Sequence, residues 1–447
     1  MALSENTDLN RQKVVIIGQG YVGLPLAMRC VEAGYRVVGY DTDENKIEAL
    51  KSQVSPIDDV TSEQIAISLS SDSYFPTSNP IDLKDFDIAV ITVPTPLRDN
   101  RPDTSFIELA GSTIAKHLRT GSLVVLESTS YPGTTQELLA PILEKGSGLT
   151  CGLDFSLGFS PERIDPGNKS WTLKTTPKLI SGVDEQSLKK VQRFYEQIVD
   201  TVVVSAGVRE AEFAKLLENT YRQVNIALVN ELAVHANSLK IDIWEVIRIA
   251  ATKPFGFAPF YPGPGVGGHC LPIDPEYLSW KFAQSSGQNS DFIKLATAVN
   301  KSMPSYVVQR LIYGLKSRDK DLKNSKVFVI GLSYKKNSSD VRESPALEVI
   351  ELLIKHGASV SAFDPFAKII NSSGFTFSSR LETSDLLNSD AVLIITNHDG
   401  IAYEEVVRSA PYIFDIRHCV VGQNVEYLYF GFNSSHQTKC LSGSREL

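Results

Sequence analysis

The stretch Lys13–Ala27, KVVIIGQGYVGLPLA, decides the fold. Its first part, KVVIIG, is a short apolar run rich in β-branched residues, which is typical of a buried strand, and helical spacing follows from Tyr21. Three glycines stand between the two as GxGxxG: Gly18, Gly20 and Gly23. Glycines at this spacing allow a tight turn and a close approach of the backbone, so that a helix N-terminus can meet a pyrophosphate. The stretch therefore predicts a strand–loop–helix unit that holds a dinucleotide.

The acidic residue at the end of the next strand indicates which dinucleotide is bound. Asp41 ends the following strand, 18 residues after Gly23. A carboxylate there can hydrogen-bond a ribose diol and would repel a 2′-phosphate, which favours NAD over NADP. We expect Tyr21 and Val22 to line the same loop as the glycines. The alternative is that the glycines serve only the packing of helix on strand, and the full strand–loop–helix–strand–acid order argues against it.

Strands and helices alternate through the first part of the chain. The strands are predicted in the runs KVVIIG, YRVVGYD, DIAVITV, SLVVLEST, FSLGFSP, PKLISGV and TVVVS. Apolar strands that alternate with helices predict a parallel, doubly wound α/β sheet covered on both faces. We assign residues 1–205 to this Rossmann-like, NAD-binding domain.

Helical spacing replaces the alternation from Val208 to about Ser238. A helix of that length is over twice the mean, which predicts a long central element. Further helices are expected at Ile243–Ala251, Pro275–Ser285 and Asp291–Lys316, with Pro304 kinking or splitting the last. We assign residues 206–318 to a helical connector that carries catalytic groups and forms a dimer contact.

The alternation returns near Lys326, in the runs KVFVIG, SVSAFDP, DAVLIIT and YIFDIR. Residues 319–447 are therefore predicted to form a second Rossmann-like domain. Its first loop lacks the three glycines but contains Lys335, Lys336 and Arg342 before the next helix. Cations beside a helix N-terminus suit a phosphate, although a solvated basic loop would have the same composition.

Composition narrows the class of protein. The 447 residues are 42% hydrophobic and 21% charged, as expected for two or three globular domains. A net charge of −8 argues against nucleic acid as the main partner. We expect no membrane span and, because the N-terminus has no apolar signal core, a cytoplasmic protein. Five scattered cysteines without a CxxC pair argue against a disulfide framework and against a metal site.

Lys215 and Asn219 are four residues apart in AKLLENTYR, so they share one face of the long helix. Most flanking positions look buried, and a buried amine or amide needs a partner. The two groups could be donors aimed at an oxygen that becomes negative during a reaction. Alternatively, Lys215 lies at a helix edge and extends its ammonium to water.

Two acidic residues occupy places suited to acid–base work. Glu162 follows the strand FSLGF in SPERIDPG, and ligands bind outside the carboxyl ends of parallel strands. Asp274 comes four residues after Cys270. The alternatives are a surface ion pair for Glu162 and a helix N-cap for Asp274.

Cys270 stands in the stretch Gly263–Pro275, GPGVGGHCLPIDP, where glycines and prolines surround it. A cysteine in such a loop is accessible to a substrate carbon, and a dinucleotide domain implies hydride transfer. A thiolate can add to an aldehyde, a second hydride removal then gives a thioester, and water releases an acid. One cysteine thus permits a four-electron oxidation of a primary alcohol. We interpret the adjacent His269 as structural.

Together these motifs resemble the nucleotide-sugar 6-dehydrogenase family, which includes UDP-glucose and UDP-N-acetylhexosamine dehydrogenases. The resemblance extends to about residue 420 and is carried by GQGYVGLPLA, VPTP, ESTSYPGTT, SPERIDPG, AKLLENTYRQVNIALVNE, GPGVGGHCLPIDP and GLSYKKNSSDVRESPA. It implies two Rossmann-like domains joined by a long helix, with NAD in the first and the UDP group in the second. It also implies homodimers or higher homo-oligomers.

The resemblance implies catalytic roles for single residues. Cys270 would be the nucleophile, and Lys215 and Asn219 would stabilise the developing oxyanion. Asp274 with Thr129 would position or activate water, and Glu162 would act in thioester hydrolysis.

The resemblance also implies two sets of binding residues. Beside the glycine loop and Asp41, the cofactor would contact Thr95, Glu127 and Thr129. The substrate would contact Glu162, Arg163, Lys215, Asn219, Tyr261, Gly267, Lys335, Arg342 and Arg417.

One departure bears on the substrate. Many UDP-glucose enzymes of the family have an arginine about a dozen and a half residues before the nucleophile, where this sequence has Lys253 and Pro254. This is similar to the subgroup that oxidises UDP-N-acetylglucosamine to a uronic acid for surface polysaccharides. The most favoured reaction is thus a UDP-N-acetylglucosamine 6-dehydrogenase that uses two NAD per uronate.

Other functions stay open at this point. UDP-glucose, UDP-N-acetylmannosamine and UDP-N-acetylgalactosamine are alternative substrates. A two-electron alcohol dehydrogenase or an epimerase would use the same cofactor, but we see no YxxxK pair placed for an epimerase. A non-catalytic NAD-binding protein would have no need of Cys270, Lys215 and Asn219 together.

Overall fold

The computed structural model describes residues 12–99, 101–164, 168, 170–367 and 374–429. The chain divides into two compact units. The first unit comprises Met1–Thr220 and Ile273–Ser290, and the second comprises Tyr221–Pro272 and Asp291–Leu447. The division falls inside one long helix. The three-segment division expected from sequence stays a prediction.

The first unit is built on a sheet in which six strands have the order of a doubly wound dinucleotide fold. The strands of this unit are β1 (Lys13–Ile17), β2 (Arg36–Tyr40), β3 (Tyr74–Thr77), β4 (Ile88–Ile91), β5 (Leu97–Arg98), β6 (Arg101–Pro102), β7 (Leu123–Leu126), β8 (Ser156–Phe159), β9 (Lys178–Gly182) and β10 (Val202–Val204). The sheet order is β10-β9-β8-β7-β4-β1-β2-β3, and β5 and β6 form a separate hairpin. All sheet pairs are parallel except β8 with β9. The order reverses between β1 and β4, which is where such folds bind ligands.

The second unit has a wholly parallel sheet of the same order. Its strands are β11 (Lys326–Ile330), β12 (Ser359–Phe363), β13 (Thr376–Ser378), β14 (Ala391–Ile394), β15 (Ile413–Asp415) and β16 (Val425–Tyr427). The order is β13-β12-β11-β14-β15-β16, so the reversal falls between β11 and β14. The predicted α/β class with two Rossmann-like sheets is confirmed.

Both faces of each sheet are covered, as the apolar strand runs predicted. In β1, Val14 and Ile16 pack into the core on one face, and Val15 and Ile17 pack into the core on the other. Alternate side chains of a strand point to opposite faces, so a strand buried on both faces is apolar throughout. The strand β11 has the same pattern in the second unit.

The four helices whose spans were predicted, all between Val208 and Lys316, agree with the structure to within one residue at each end. The helices are α1 (Gly23–Glu32), α2 (Glu44–Lys51), α3 (Ser62–Ser70), α4 (Ser105–Ala115), α5 (Ala140–Ser147), α6 (Glu185–Tyr195), α7 (Val208–Ser238), α8 (Ile243–Ala250), α9 (Asp274–Ser286), α10 (Asp291–Lys316), α11 (Pro345–Lys355), α12 (Thr383–Leu387) and α13 (Tyr403–Ser409). A 3₁₀ turn at Pro80–Leu83 and a π-helical segment at Thr134–Leu139 add to them.

Two details add to the sequence-based expectation. Of the kink or split expected at Pro304, the split does not occur, because α10 continues as one helix through this residue. Met303, Val307 and Val308 around it are buried, and their packing offsets the loss of one backbone hydrogen bond. The strand β16 lies in the tail after Gln423, where the sequence showed little pattern.

Candidate active site

In the glycine loop after β1, close packing requires two of the three glycines, and the third faces open space. Gly18 has a φ of 97°, and a Cβ added there would lie 2.7 Å from the Thr92 carbonyl oxygen. A Cβ on Gly23 would lie 1.8 Å from the Gly18 carbonyl oxygen. A Cβ on Gly20 would meet nothing within 4 Å. Packing therefore explains Gly18 and Gly23, whereas Gly20 opens the backbone to a ligand at the start of α1.

Asp41 at the end of β2 is placed to bind a ribose. Its Oδ2 accepts hydrogen bonds from the Gln19 N–H at 2.8 Å and the Lys46 Nζ at 2.7 Å, and its Oδ1 accepts one from the Asp43 N–H at 3.0 Å. A carboxylate has about four acceptor sites, so one remains for a hydroxyl. Val22, the N-cap of α1, makes no side-chain capping bond, and Tyr21 precedes it at the loop. These residues fit NAD.

Loops after neighbouring strands supply more of this side of the first unit. Thr95 is buried in the loop after β4, and the Tyr277 hydroxyl of α9 donates to the adjacent Pro96 carbonyl oxygen at 3.0 Å. Thr129 is half-buried in the loop after β7. Both threonines thus follow strands beside the point where the sheet order reverses.

A buried charge cluster links three strands of the same sheet. Lys178 Nζ lies 3.2 Å from Glu127 Oε2 and 3.1 Å from Glu162 Oε2. The Tyr195 hydroxyl donates to Glu127 Oε1. Glu162 Oε1 accepts from the Arg163 N–H at 2.6 Å and the Ile164 N–H at 2.5 Å. Glu162 is therefore held by a buried ion pair and not by the surface pair that was the alternative.

The groups of the cluster shift one another's pKa values. Burial raises the pKa of Glu127, which Lys178 opposes. Burial would lower the pKa of Lys178, but the carboxylates of Glu127 and Glu162 outweigh it and raise that pKa. The ammonium of Lys178 thus stays charged and fixes the Glu162 side chain.

Lys215 and Asn219 of α7 meet Asp274, the first residue of α9. Asn219 Nδ2 donates to Asp274 Oδ2 at 2.5 Å. The three residues are only 9%, 6% and 4% exposed, so Lys215 is not the solvated lysine of the alternative. Burial raises the pKa of Asp274 to about 6, although Lys215 and the Asn219 hydrogen bond both oppose the rise. The N-cap of α9 is Ile273, so Asp274 is not a cap.

Arg163, which was expected to contact substrate, is bound to α7. Its Nη2 lies 2.5 Å from Glu218 Oε1, and its Nη1 donates to the Pro177 carbonyl oxygen at 3.0 Å. Glu218 precedes Asn219 on α7, so the ion pair ties the Glu162 loop to the helix that presents the donors.

In the second unit, Cys270 is an exposed thiol at the end of a tightly packed loop. A Cβ on Gly267 would lie 2.7 Å from Tyr334 Cβ, and one on Gly268 would lie 2.7 Å from Tyr334 Cζ. The glycines thus let Tyr334 pack directly on the loop backbone. His269 is half-buried, and burial, with Arg342 next, lowers its pKa. The lowered pKa favours the neutral imidazole, and the structural role expected for His269 stays a prediction.

The residues expected around the UDP group also lie in this unit. Arg417 Nε donates to the Ile395 carbonyl oxygen at 2.7 Å, and a Cβ on Gly263 would lie 2.8 Å from Arg417 Nη1. Tyr261 stacks on Trp244 with ring centroids 5.5 Å apart. Arg342 is paired with Asp340 at 2.7 Å. Lys335 is half-buried in the loop after β11.

Sequence reasoning missed several of these groups. Lys178 and Tyr195 complete the charge cluster, and Tyr277 joins α9 to the Thr95 loop. The one available signal was Lys178, a lysine that opens the otherwise apolar strand KLISG. A long-range partner is invisible in a local pattern, so its role could not be predicted.

Two negative findings apply to the described residues. Among them, no group of histidine, cysteine, aspartate and glutamate is placed to hold a metal ion. Within the same ranges, no helix has the length and apolarity needed to cross a membrane.

Two doubly wound sheets, one with a glycine loop that fits NAD, define an NAD-dependent dehydrogenase. The chain belongs to the UDP-glucose/GDP-mannose dehydrogenase family. The NAD-binding domain of that family matches residues 12–199, its central domain matches residues 209–302, and its UDP-binding domain matches residues 328–422. NAD as cofactor and oxidation of a UDP-sugar follow from this membership.

Relatives in the family resemble nearly the whole chain. Protein CapL of Staphylococcus aureus is 37% identical over 416 residues, which are 92% of this chain and 96% of that protein. A UDP-N-acetyl-D-glucosamine 6-dehydrogenase of Pseudomonas aeruginosa is 38% identical over 359 residues, 79% of this chain and 83% of that one. The solved structure of a UDP-D-ManNAc dehydrogenase from Pyrococcus horikoshii has a TM-score of 0.85 at 32% identity and covers 94% of this chain and 100% of its own.

Proposed function

We propose that this chain oxidises the C6 hydroxymethyl group of UDP-N-acetylglucosamine to the uronic acid, with two NAD per turnover. The observation that carries the proposal is the buried group of Lys215, Asn219 and Asp274 in the unit that holds the NAD cradle. The exposed thiol of Cys270 comes four residues before Asp274 in the chain.

The proposed chemistry proceeds through the cysteine. NAD held at the glycine loop and Asp41 would supply the hydride acceptor for both oxidations. Loss of the first hydride and a proton turns the alcohol into an aldehyde, and Cys270 Sγ bonds to its carbon to form a thiohemiacetal. Loss of the second hydride and a proton gives a thioester. Water then breaks the C–S bond, which releases the carboxylate and restores the thiol.

The other catalytic residues act on oxygen and water. The ammonium of Lys215 and the second N–H of the Asn219 amide are donors for the C6 oxygen as it becomes negative. Asp274, whose pKa near 6 suits a base at neutral pH, would activate water with Thr129. Glu162, held by Lys178, would act in hydrolysis of the thioester. Thr95 and Glu127 would lie along the cofactor.

The substrate assignment rests on two observations. Relatives from Salmonella typhi and Pseudomonas aeruginosa, at 36% and 38% identity, are named UDP-N-acetyl-D-glucosamine 6-dehydrogenases. By the resemblance, Lys253 and Pro254 stand where many UDP-glucose enzymes have an arginine, and without that arginine there would be room for a 2-acetamido group. Lys335, Arg417, Arg342 and Tyr261 would bind the UDP group, and a product of this kind is a precursor of surface polysaccharides.

The resemblance of the chain to UDP-N-acetyl-D-mannosamine dehydrogenases makes the 2-epimer the second candidate. The test is NADH release over a panel: UDP-N-acetylglucosamine, its manno and galacto isomers, and UDP-glucose. We expect two NADH per sugar and the highest kcat/KM for UDP-N-acetylglucosamine. A higher kcat/KM for another sugar would replace the substrate, and one NADH per sugar would contradict the reaction.

We also propose that the enzyme is a homodimer that uses an apolar face of α7. Tyr221, Leu228 and Leu232 are 51%, 50% and 49% exposed. Leu228 and Leu232 come seven and eleven residues after Tyr221, so the three side chains lie on one side of the helix. An apolar row of this kind on a long helix is typical of an interface.

A further inference from the structure

The loop that contains Lys335 lies where the second sheet reverses its order. It follows β11, and the neighbouring loop Ile395–Ala402 follows β14. Ligands of doubly wound sheets bind outside these two strand ends. The position of the Lys335 backbone therefore matters for any phosphate that binds there.

Asp364, directly after β12, holds the first half of this loop. Its Oδ2 accepts hydrogen bonds from the Leu332 N–H at 2.7 Å, the Ser333 N–H at 3.0 Å and the Ser333 hydroxyl at 2.8 Å. Its Oδ1 accepts from the Phe366 and Ala367 N–H groups. Burial opposes ionisation of Asp364, but the hydrogen bonds from His398 and these backbone groups hold its pKa below the ordinary value. The ionised carboxylate thus holds the backbone of the loop at Leu332 and Ser333 through hydrogen bonds.

His398, in the loop after β14, continues the chain of contacts to the second half of the Lys335 loop. Its Nε2 lies 3.0 Å from Asp364 Oδ2, and its Nδ1 lies 2.9 Å from the Asn337 backbone nitrogen. A backbone N–H can only donate, so Nδ1 accepts and the proton is on Nε2, which donates to Asp364. The residue is 1% exposed, with the Phe366 ring 5.2 Å away.

Asn337, two residues after Lys335, is held through both its backbone and its side chain. Its φ of 57° is left-handed, which asparagine tolerates better than most residues. Its Nδ2 donates to Asp399 Oδ2 at 2.7 Å, and its Oδ1 accepts from the Asp399 N–H at 2.8 Å. Lys335 therefore lies between two held points, Ser333 and Asn337, that His398 and Asp364 connect.

The equivalent acid of the first sheet is used differently. Asp41 follows β2 as Asp364 follows β12, and both accept from the loop after the first strand of their sheet. Asp41 retains an acceptor site, whereas Asp364 accepts six hydrogen bonds when that of His398 is included. Asp41 can therefore still bind a ribose, whereas Asp364, at the equivalent position of the second sheet, supports the loop.

We infer that His398 is a positioning residue for the diphosphate-binding loop: its Nδ1 holds the Asn337 N–H and so fixes Lys335 against the substrate's diphosphate. The inference rests on the proposed function, in which Lys335 contacts the UDP group. Tyr334 of the same loop packs on Gly267 and Gly268, so the loop position also bears on the backbone before Cys270.

Two substitutions test the contributions of the two ring nitrogens of His398 separately. In His398→Asn the amide oxygen can replace Nδ1 as the acceptor for Asn337, and in His398→Gln the amide nitrogen can replace Nε2 as the donor to Asp364. We expect the Kd for UDP to stay within about threefold in His398→Asn and to rise about tenfold or more in His398→Gln, because only the latter loses the loop hydrogen bond. The Kd for NAD should be unchanged in both, which controls for folding of the first unit.

Equal loss of UDP affinity in both variants, in step with their fall in melting temperature, would mean a purely structural histidine and would overturn the inference. UDP affinity of His398→Gln equal to that of the wild type would overturn it as well. If the wild type itself binds no UDP, the proposed function fails first and the inference fails with it.

Hydrogen exchange of the wild type provides a test without a variant. The Asn337 amide should exchange slowly because it donates to a buried acceptor. Exchange as fast as that of an exposed loop amide would contradict the contact, even if His398→Gln does not fold.

Discussion

At the scale of a single residue, Asp274 is a buried carboxylate whose ionisation opposes folding. A buried carboxylate has its pKa raised from 3.8 to about 6 despite Lys215 and Asn219 beside it. At about 1.36 kcal/mol per pKa unit, the ionised group costs the folded state about 3 kcal/mol at neutral pH. A residue kept for packing alone would not be a carboxylate here.

The first prediction concerns Asp274→Asn. Because the folded pKa is raised, the contribution of Asp274 to stability is present below about pH 4 and is lost as the pH rises through about 6. The asparagine variant should therefore be more stable than the wild type by up to about 3 kcal/mol at about pH 7.5 and nearly equal to it at about pH 4. Turnover should fall about 100-fold or more because the proposed base is lost.

Urea unfolding at the two pH values measures the difference. Asp58→Asn, at an exposed aspartate of the same unit, is the matched control for removal of one carboxylate. A stability difference that is the same at both pH values would contradict the raised pKa.

Among the elements, the glycine loop and α1 show what the sequence could predict. Gly18, Gly20 and Gly23 were assigned to a tight turn and a ligand approach, and the structure separates these uses because only Gly20 has open space. The separation depends on where Thr92 lies, and Thr92 directly follows a different strand, β4. A local pattern contains no such distance.

The same limit applies to the charged groups. The strands β1 and β11 could be predicted because burial on both faces requires an unbroken apolar run. The link from Lys178 to Glu127 and Glu162 joins three strands, and the link from His398 to Asn337 joins residues 61 apart. These contacts exist only once the sheets are formed. The sequence therefore indicated some of these residues but none of the contacts between them.

The second prediction separates packing from ligand binding within the loop. Gly20→Ala should fold normally, since its Cβ meets nothing within 4 Å, but it should raise the Kd for NAD about tenfold or more by filling the space for the pyrophosphate. Gly23→Ala should instead lower the melting temperature, because its Cβ would lie 1.8 Å from the Gly18 carbonyl oxygen. Isothermal titration and thermal unfolding measure the two effects. Wild-type NAD affinity in Gly20→Ala would show that the cofactor does not approach this backbone.

For the whole molecule, the third prediction concerns assembly. The double substitution Leu228→Glu, Leu232→Glu places two charges on the exposed apolar face of α7 and should convert a dimer of 49.1 kDa chains into monomers. Light scattering after size exclusion measures the mass. Leu153→Glu, at an exposed leucine of the first unit, is the control and should leave the dimer intact. A monomeric wild type would contradict the proposal.

The central claim is that the sugar is carried through its second oxidation on Cys270. The most direct measurement is the mass of the Cys270 peptide after an acid quench of enzyme, NAD and UDP-N-acetylglucosamine within a single turnover. We predict that the peptide gains the mass of the substrate less four hydrogens, as a thioester requires, and that Cys270→Ser lacks this adduct and releases no second NADH. Two NADH per sugar with an unmodified Cys270 peptide at every quench time would contradict the account.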